Sequence, residues 1–295
     1  MSPSADASLA DQAPAADGTP SAAGSPLIDV FDAVAAHRFA VDLANLGPRE
    51  AGTDGDRAAQ VVITNAFEDA GWQVLTQDVD LPQGGTTRNL IAVRDPVDLD
   101  GPHVVVGGHH DSIGGGPGAN DNATGIGVLT TLARQWRDEP APVPVVLVAF
   151  GAEEYQPAQP RLHHLGSDAY AGLHSQDVIG ALIVDMVGNG DTHCICWLDR
   201  GPATMANRVL AVAMTAGLGD RVAVEARGDV SDHGPFARRG VPAAFLWSYS
   251  DGRLHTPNDT AEHLVVDDIG RAGTITLAFL RSLVAADAGG LRAEP

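Results

Sequence analysis

Four short segments of the chain are apolar at nearly every position, and they restrict the fold more than any other feature. They are "HVVVGG" (103–108), "VPVVLVAFGA" (143–152), "ALIVDMVG" (181–188) and "AAFLWS" (243–248). A strand with one face in water alternates apolar and polar residues, whereas a strand covered on both faces is apolar throughout. The four segments are therefore predicted to be central strands of a sheet with helices on both sides.

Helical patterns and two further strand patterns surround these segments. Apolar residues recur three and four positions apart at 29–47, 56–72, 122–137, 166–174, 203–217 and 267–286. Two more strands are predicted at 73–81 and 88–95, joined by the turn "PQGGTT". The alternation of strands and helices predicts an α/β fold with a mostly parallel sheet in three layers.

The length and composition of the chain suit one large domain. It has 295 residues and is 44% hydrophobic, which is enough for one large core. Residues 1–25 are rich in Ala, Ser, Pro, Asp and Gly and are predicted to be a disordered N-terminal tail. Residues 26–290 are then expected to form a single domain.

The charge of the chain argues against several functions. With a net charge of −20, the protein would repel nucleic acid and anionic membranes, so neither is expected as a partner. All 18 basic residues are arginines, which removes the lysine that a P-loop or a pyridoxal Schiff base requires.

Two further features bear on the compartment. The N-terminus lacks the basic and apolar regions of a signal peptide. Cys194 and Cys196 are predicted to be reduced thiols, because a disulfide between them would close a short, strained ring. We therefore expect a cytoplasmic protein, or a secreted one if a signal peptide has been removed.

Polar residues that can bind metals or move protons follow the four central strands. They are "HHDS" (109–112), "EE" (153–154), Asp185 near the end of the third strand, and "LHTPNDT" (254–260). The carboxyl ends of parallel strands meet at one edge of a sheet, and binding sites gather there. We therefore expect one site built from all four segments.

Taken singly, most of these residues have a structural explanation. Asp121 precedes a predicted helix and would suit its N-cap. Glu153 and Glu154 would suit a solvated pair, and His255 would suit a surface turn. Asp185 is different, because it interrupts the buried run "ALIVDMV" and requires a partner there.

The combination favours a metal site. His, Asp and Glu without thiolates are typical ligands of zinc or another divalent ion in a catalytic site. Five candidate ligands exceed what one open zinc site uses, and they suit two metals that share a carboxylate. Glycines around Asp121 would let its loop approach the metals closely.

Six motifs occur in a fixed order along the chain: "GGHHDS", "GANDNATG", "FGAEE", "IVDMVG", "SDHGPF" and "LHTPNDT". In this order they resemble the M28 family of zinc aminopeptidases, of the bacterial leucyl aminopeptidase type. The resemblance covers about residues 28–286. It implies an α/β/α sandwich around a mixed, mostly parallel sheet. It also implies a metallopeptidase that hydrolyses the N-terminal peptide or amide bond of small peptides or aminoacyl amides, using two Zn²⁺ or other divalent ions.

The resemblance assigns the metal ligands residue by residue. It implies that His109 and Asp185 bind one zinc ion. It implies that Glu154 and His255 bind the other, and that Asp121 bridges the two ions.

The resemblance also assigns the catalytic residues. It implies that Asp111 orients the imidazole of His109 from behind. It implies that Glu153 takes a proton from a metal-activated water and returns it to the leaving amine. Some family members carry a Tyr that helps to hold the oxyanion, but Leu254 stands at that position before His255. The donor must then come from elsewhere, unless the metals alone suffice.

Four residues are candidates for contact with the substrate. The stretch "GDVSDHGPF" (228–236) resembles a family loop that lines the substrate pocket, and its candidates are Ser231 and Asp232. Leu254 and Trp247 would make the neighbouring pocket apolar. A medium-sized apolar first residue with a free α-amine is therefore expected.

The stretch "YQPAQPRLHH" (155–164) is longer than the usual connection in the family. It follows the glutamate pair directly, so it is predicted to reshape the wall of the pocket. Its two histidines, His163 and His164, are interpreted as surface residues.

Three other functions remain open. A glutaminyl-cyclase-like acyl transferase shares this fold with one zinc ion, although the presence of both His109 and Asp185 favours two. A cytoplasmic amidohydrolase that tailors a specific metabolite or acylated amino acid fits the unusual 155–164 loop. A non-catalytic binding module would be expected to have lost ligands, and all five are present. The oligomeric state is not predicted.

Overall fold

The computed structural model describes residues 30–94, 99–155, 163–248 and 252–291. The predicted N-terminal tail (1–25) and most of the 155–164 loop lie outside these residues. A compact unit begins at Phe31. No helix in the described ranges combines the length and the apolarity that crossing a membrane requires.

Helices and strands alternate along most of the described chain. The helices are α1 (Ala33–Ala44), α2 (Asp54–Asp69), α3 (Thr124–Gln135), α4 (Leu165–His174), α5 (Thr204–Thr215), α6 (His233–Arg238) and α7 (Val266–Arg281). The strands are β1 (Gln73–Asp80), β2 (Thr86–Val93), β3 (His103–His109), β4 (Val145–Phe150), β5 (Val178–Asp185), β6 (His193–Leu198), β7 (Val222–Arg227) and β8 (Ala243–Ser248). Each helix and strand that the sequence predicts has a counterpart, with ends that differ by a few residues.

The strands of the described residues form one mixed sheet in the order β1-β2-β4-β3-β5-β8-β6-β7. The central neighbours β4, β3, β5 and β8 run parallel to one another. Antiparallel pairing occurs between β1 and β2, between β2 and β4, and between β6 and β8. The predicted mixed, mostly parallel α/β sheet is confirmed.

Both faces of the central strands are covered, as their apolar sequence predicts. Val104 and Val106 of β3 belong to one buried cluster, which includes Leu43 of α1. Val105 points to the other face and belongs to a second cluster with Tyr170 of α4. Successive side chains of a strand point to opposite faces, so both sets of side chains in a strand between two helical layers are buried and mostly apolar. The three layers follow from this pattern.

Two strands and one helix were not predicted from the sequence. Strand β6 contains both cysteines, β7 is half-buried along much of its length, and α6 has only six residues. The prediction of reduced thiols is wrong, because the structure joins Cys194 and Cys196 by a disulfide. The two residues are second neighbours on a strand, so their side chains share a face, and their Cα atoms are 5.4 Å apart, within the range of disulfides.

Candidate active site

The predicted site residues meet at one edge of the sheet because of the parallel strands. His109 ends β3, and Asp185 ends β5. Glu153 and Glu154 follow β4, which lies beside β3. Carboxyl ends of adjacent parallel strands lie together, so residues far apart in the sequence converge here.

Three of the predicted ligands form a first buried group. His109 Nε2 lies 3.2 Å from Asp121 Oδ1 and 3.4 Å from Asp185 Oδ1. The side chains of His109, Asp121 and Asp185 are at most 8% exposed. Asp185 Oδ1 makes no hydrogen bond within the described part of the chain.

The remaining two predicted ligands face the other oxygen of Asp121. His255 Nε2 lies 3.3 Å from Asp121 Oδ2 and 2.8 Å from Glu154 Oε1. The two carboxylate oxygens of Asp121 thus face two different groups, one containing His109 and one containing His255. This is the arrangement that a bridging carboxylate requires.

Asp111 lies behind His109 and also supports the next strand. Its Oδ1 is 3.5 Å from His109 Nδ1. The backbone N–H of Glu153 donates to Oδ1 and that of Glu154 donates to Oδ2, both at 3.1 Å. The carboxylate therefore ties the loop after β3 to the loop after β4.

The backbone around Asp121 is held by two residues for which no role was predicted. Asp259 Oδ2 accepts a hydrogen bond from the backbone N–H of Asp121 at 3.0 Å. The buried guanidinium of Arg49 donates to the carbonyl oxygens of His110 at 2.8 Å and Gly118 at 3.0 Å. Asp259 lies in the motif "LHTPNDT", whereas Arg49 lies in "GPREAGT" (47–53), outside the six motifs, and the spacing of the motifs did not show either contact.

The titration of the group reflects burial and neighbouring charge. Burial raises the pKa of Glu153 well above its ordinary value; the charge of His109 opposes this rise, and the charge of Asp185 adds to it. Burial also acts to raise the pKa of Asp121, but hydrogen bonds from His109 and His255 hold it well below its usual range. Hydrogen bonds to Asp121 and Glu154 raise the pKa of His255 to about 10.

Unusual backbone conformations gather around the site. The described non-glycine residues with positive φ are Ala152 (56°), His164 (63°), Met186 (52°) and His255 (58°). Ala152 precedes Glu153, and Met186 follows Asp185. Such conformations cost about 1–3 kcal/mol each and are retained mainly where a site requires them.

A cavity of about 390 Å³ opens beside the two groups. Leu254 and Trp247, both predicted to contact substrate, line it together with Met186, Val230 and Phe245. Five carboxylates and one arginine are among its described lining residues. The cavity therefore has an acidic end at the predicted metal ligands and an apolar wall.

The structure places Ser231 and Asp232 behind the cavity wall, where both are fully buried. Ser231 Oγ donates to Asp185 Oδ2 at 2.6 Å, and Asp232 Oδ1 accepts from Ser167 Oγ at 2.6 Å. Burial, together with the charge of Glu153, raises the pKa of Asp232 to about 7. Ser231 therefore contacts the site from behind, and neither residue is among the described residues that line the cavity.

The interpretation of His164 as a surface residue is wrong. Its side chain is 5% exposed, and its Nε2 lies 3.1 Å from Glu153 Oε1. This contact could not be predicted from the sequence, because the segment between the two residues has no regular periodicity. Residues 156–162 of that segment lie outside the described ranges.

The residues present fit divalent metal ions. Ligand atoms of His109, Asp121 and Glu154 lie within 4.8 Å of one another, close enough to hold at least one ion. Buried carboxylates that face imidazole nitrogens, with Asp185 Oδ1 lacking a hydrogen bond, form a ligand set that a cation would satisfy.

Comparisons with known proteins agree with this geometry. The family model described as "Peptidase family M28" matches residues 89–280. Aminopeptidase YwaD of Bacillus subtilis (strain 168) is 29% identical over 214 residues, which are 68% of this chain and 45% of that protein. The chain thus spans about half the length of that relative.

Two solved structures share the fold. A zinc aminopeptidase from Bacillus subtilis superposes with a TM-score of 0.76 at 18% identity, covering 84% of this chain and 94% of the other. Porphyromonas gingivalis glutaminyl cyclase also gives a TM-score of 0.76, at 23% identity, covering 86% and 99%. At these identities the likeness concerns the fold alone and does not choose between the two activities.

Proposed function

This chain belongs to peptidase family M28, and from that membership we propose that it is an aminopeptidase that uses two divalent metal ions, zinc in the first place. Membership in the family implies peptide substrates. The finer assignment, removal of the N-terminal residue from a small peptide or aminoacyl amide, is supported by the geometry of the site and by the name of the relative YwaD.

The main observation in support of two metal ions is the placement of the Asp121 carboxylate. Asp121 presents Oδ1 to His109, whose Nε2 also faces Asp185, and it presents Oδ2 to His255, whose Nε2 also faces Glu154. A carboxylate with separate partners on each oxygen suits two ions, whereas one ion would leave one of the two groups without a cation. His109 and Asp185 would then hold one ion, and Glu154 and His255 the other.

The protein's own residues would orient the reaction. Divalent ions bound at the site would supply Lewis acidity toward the scissile carbonyl and a water molecule. Glu153 would accept the proton of the attacking water and return it to the leaving amine. Its raised pKa, caused by burial and opposed by His109, suits a group that must hold a proton between two steps. Asp111 would fix the ring of His109 and the backbone of Glu153.

The cavity supports a substrate with a free α-amine and an apolar side chain. At the acidic end, Asp111 stands behind the lining carboxylates of Asp121, Glu153, Glu154 and Asp185, so five carboxylates face the four charges of two divalent ions, and this end would favour an ammonium group. Trp247, Phe245 and Leu254 provide an apolar wall for the first side chain. A volume of about 390 Å³ suits a small peptide or an aminoacyl amide.

A metal count tests the two-ion site. Protein purified without chelator and reloaded with zinc should saturate near two equivalents. His109→Ala and His255→Ala, which remove one ligand from each group, should each saturate near one. Saturation of the wild type at one equivalent would overturn the two-metal proposal and favour the single-zinc cyclase.

A substrate panel tests the activity separately. Leucyl-p-nitroanilide should be cleaved faster than its N-acetyl counterpart, because acetylation removes the ammonium group. Faster cleavage of the acetylated compound would favour an amidohydrolase for acylated amino acids. Cyclisation of an N-terminal glutaminyl peptide, without release of p-nitroaniline from any aminoacyl anilide, would replace the aminopeptidase by a cyclase.

A further inference from the structure

His164 occupies an unusual place beside the proposed general base. Its ring is buried, its φ is 63°, and it directly precedes α4. Its Nε2 lies 3.1 Å from Glu153 Oε1, and its Nδ1 lies 3.6 Å from Asp229 Oδ1. The imidazole thus stands between a buried carboxylate of the site and a carboxylate that is 35% exposed.

The backbone fixes His164 relative to Glu153. The backbone N–H of His164 donates to the carbonyl oxygen of Glu153 at 3.0 Å. The backbone N–H of Gly166 donates to the carbonyl oxygen of Gly151, also at 3.0 Å. The approach is so close that a Cβ on Gly166 would lie 2.3 Å from the carbonyl oxygen of Gly151. The start of α4 is therefore held against the segment that carries Glu153, which keeps the backbone of His164 beside this carboxylate.

The two distances select one arrangement of the ring proton. Burial lowers the pKa of His164 to about 4, so the ring carries a single N–H near neutral pH. A distance of 3.1 Å allows a hydrogen bond, whereas 3.6 Å is too long for one. The ionised carboxylate that a general base requires can only accept, so the ring proton belongs on Nε2, which faces Glu153 Oε1.

We propose that His164 is a positioning residue for Glu153: its Nε2–H holds Oε1 of the carboxylate, so that the other oxygen, Oε2, is presented to the reacting atoms. The inference rests on the proposed role of Glu153 as general base. A carboxylate held at one oxygen loses rotational freedom, and a catalytic group misplaced by about 1 Å can cost about 100-fold in rate. His164 itself is not expected to touch the substrate.

The matched pair His164→Gln and His164→Met tests this role in the zinc-loaded protein. The two replacements have similar length and make the same demand on the backbone at positive φ, but only Gln keeps an N–H donor at the ε position. His164→Met should lower kcat for leucyl-p-nitroanilide by about 10- to 100-fold, with KM and zinc content close to those of the wild type. His164→Gln should recover most of the lost kcat.

Equal kcat values for the two variants would overturn the proposal, whether both are low or both match the wild type. A loss of zinc or a raised KM that accounts for the whole effect would overturn it as well. Recovery by Gln alone supports it, because a purely structural role would not depend on the donor.

The position of the ring proton on His164 can be measured by NMR, which tests the proposal without an activity assay. The ¹⁵N shifts of the histidine rings in the zinc-loaded protein, with the His164 signal identified by its absence in His164→Gln, should show a neutral ring protonated at Nε2. A ring protonated at Nδ1 would overturn the proposal. If no aminoacyl anilide is cleaved, the proposed function fails, while this measurement still decides whether the contact with Glu153 exists.

Discussion

The carboxylate of Asp111 accepts a hydrogen bond from the backbone N–H of Glu153 at 3.1 Å, and so connects the loops that follow two neighbouring parallel strands. The same carboxylate accepts from Glu154 and lies 3.5 Å from the ring of His109. One buried side chain therefore sets the position of a proposed ligand, a proposed base and a second ligand together. Its removal should affect stability and metal binding at the same time.

Replacement of Asp111 by Ala should destabilise the protein by about 2–4 kcal/mol, because two buried backbone donors lose a charged acceptor. Zinc affinity should fall by about 10- to 100-fold, since the ring of His109 loses the group behind it. Urea unfolding and zinc titration measure the two effects. Asp111→Asn is the matched control: it keeps the shape and one acceptor oxygen, so it should lose less stability than Asp111→Ala. Equal losses would show that the carboxylate acceptors do not carry the effect.

Substitution of the two adjacent glutamates should have different effects, on turnover for Glu153 and on zinc binding for Glu154. Glu153→Gln removes the proton carrier and leaves the proposed ligands in place, so it should bind zinc normally while kcat falls by about 100-fold or more. Glu154→Gln removes a proposed ligand that lies 2.8 Å from His255 Nε2, so the saturating zinc content should fall. Elemental analysis and steady-state kinetics separate the two. A zinc loss in Glu153→Gln with full zinc in Glu154→Gln would reverse the two roles.

The central layer of the fold could be predicted because burial on both faces leaves a plain pattern. Segments such as 103–108 are apolar at nearly every position, and each became a central strand. The pattern fails where a strand is short or half-exposed. Strand β7 is half-buried along much of its length, and the six-residue helix α6 is too short to show a helical period. A prediction from periodicity requires a buried apolar face that recurs along the element. Strand β7 and helix α6 have too little of such a face.

The sequence was enough to predict which residues form the site and at which edge of the sheet they lie. It was not enough to predict which side chains contact one another. The motifs named His109 and Asp185, and the structure places their side chains 3.4 Å apart. Contacts that depend on the path of an irregular loop were missed: His164 was interpreted as a surface residue, yet it lies against Glu153. Ser231 was expected in the pocket, but its hydroxyl instead faces Asp185 from behind. Loop conformation depends on tertiary packing, which spacing does not encode.

Gly125 should not tolerate a side chain, because α3 begins in direct contact with β5. A Cβ at this position would lie 2.2 Å from the carbonyl oxygen of Val184, one residue before Asp185. Gly125→Ala should therefore cost about 1–3 kcal/mol or more and lower zinc affinity by displacing the start of α3. Gly172→Ala is the control: this exposed position of α4 has no atom nearer than 3.7 Å, and Ala should stabilise the helix by about 0.5–1 kcal/mol. Thermal unfolding should show opposite signs for the two variants.

His193 should make stability depend on pH. Burial, with help from the charge of Arg271, lowers its pKa from 6.5 to about 4. Between pH 4 and pH 6.5 the unfolded chain binds a proton at His193 that the folded chain does not. The free energy of unfolding is therefore unaffected by this residue above about pH 6.5, and it decreases as the pH falls toward 4. At pH 5 the loss should be about 2 kcal/mol relative to pH 7. Urea unfolding of wild type and His193→Asn at both pH values measures it: the variant should lose about 2 kcal/mol less than the wild type between them. Equal losses would mean that the histidine is not held neutral.

Trp247 should set the preference for the first side chain of the substrate. It is paired in register with Asp185 on the neighbouring strand, and its ring lines the cavity beside the proposed metal ligands. The guanidinium of Arg227 lies 4.9 Å from the ring centroid, which fixes the plane of the wall.

Trp247→Ala should lower kcat/KM for leucyl-p-nitroanilide by about 10-fold or more, because the apolar side chain of the substrate loses its contact with the ring and stays exposed to water. The alanyl substrate, which reaches the wall less, should change by a smaller factor, and zinc content should stay the same. Trp197→Ala, in β6 and outside the described lining of the cavity, is the matched control and should lower stability without altering the ratio of leucyl to alanyl cleavage. An equal fall for both substrates in Trp247→Ala would show that the ring supports the fold and does not select the side chain.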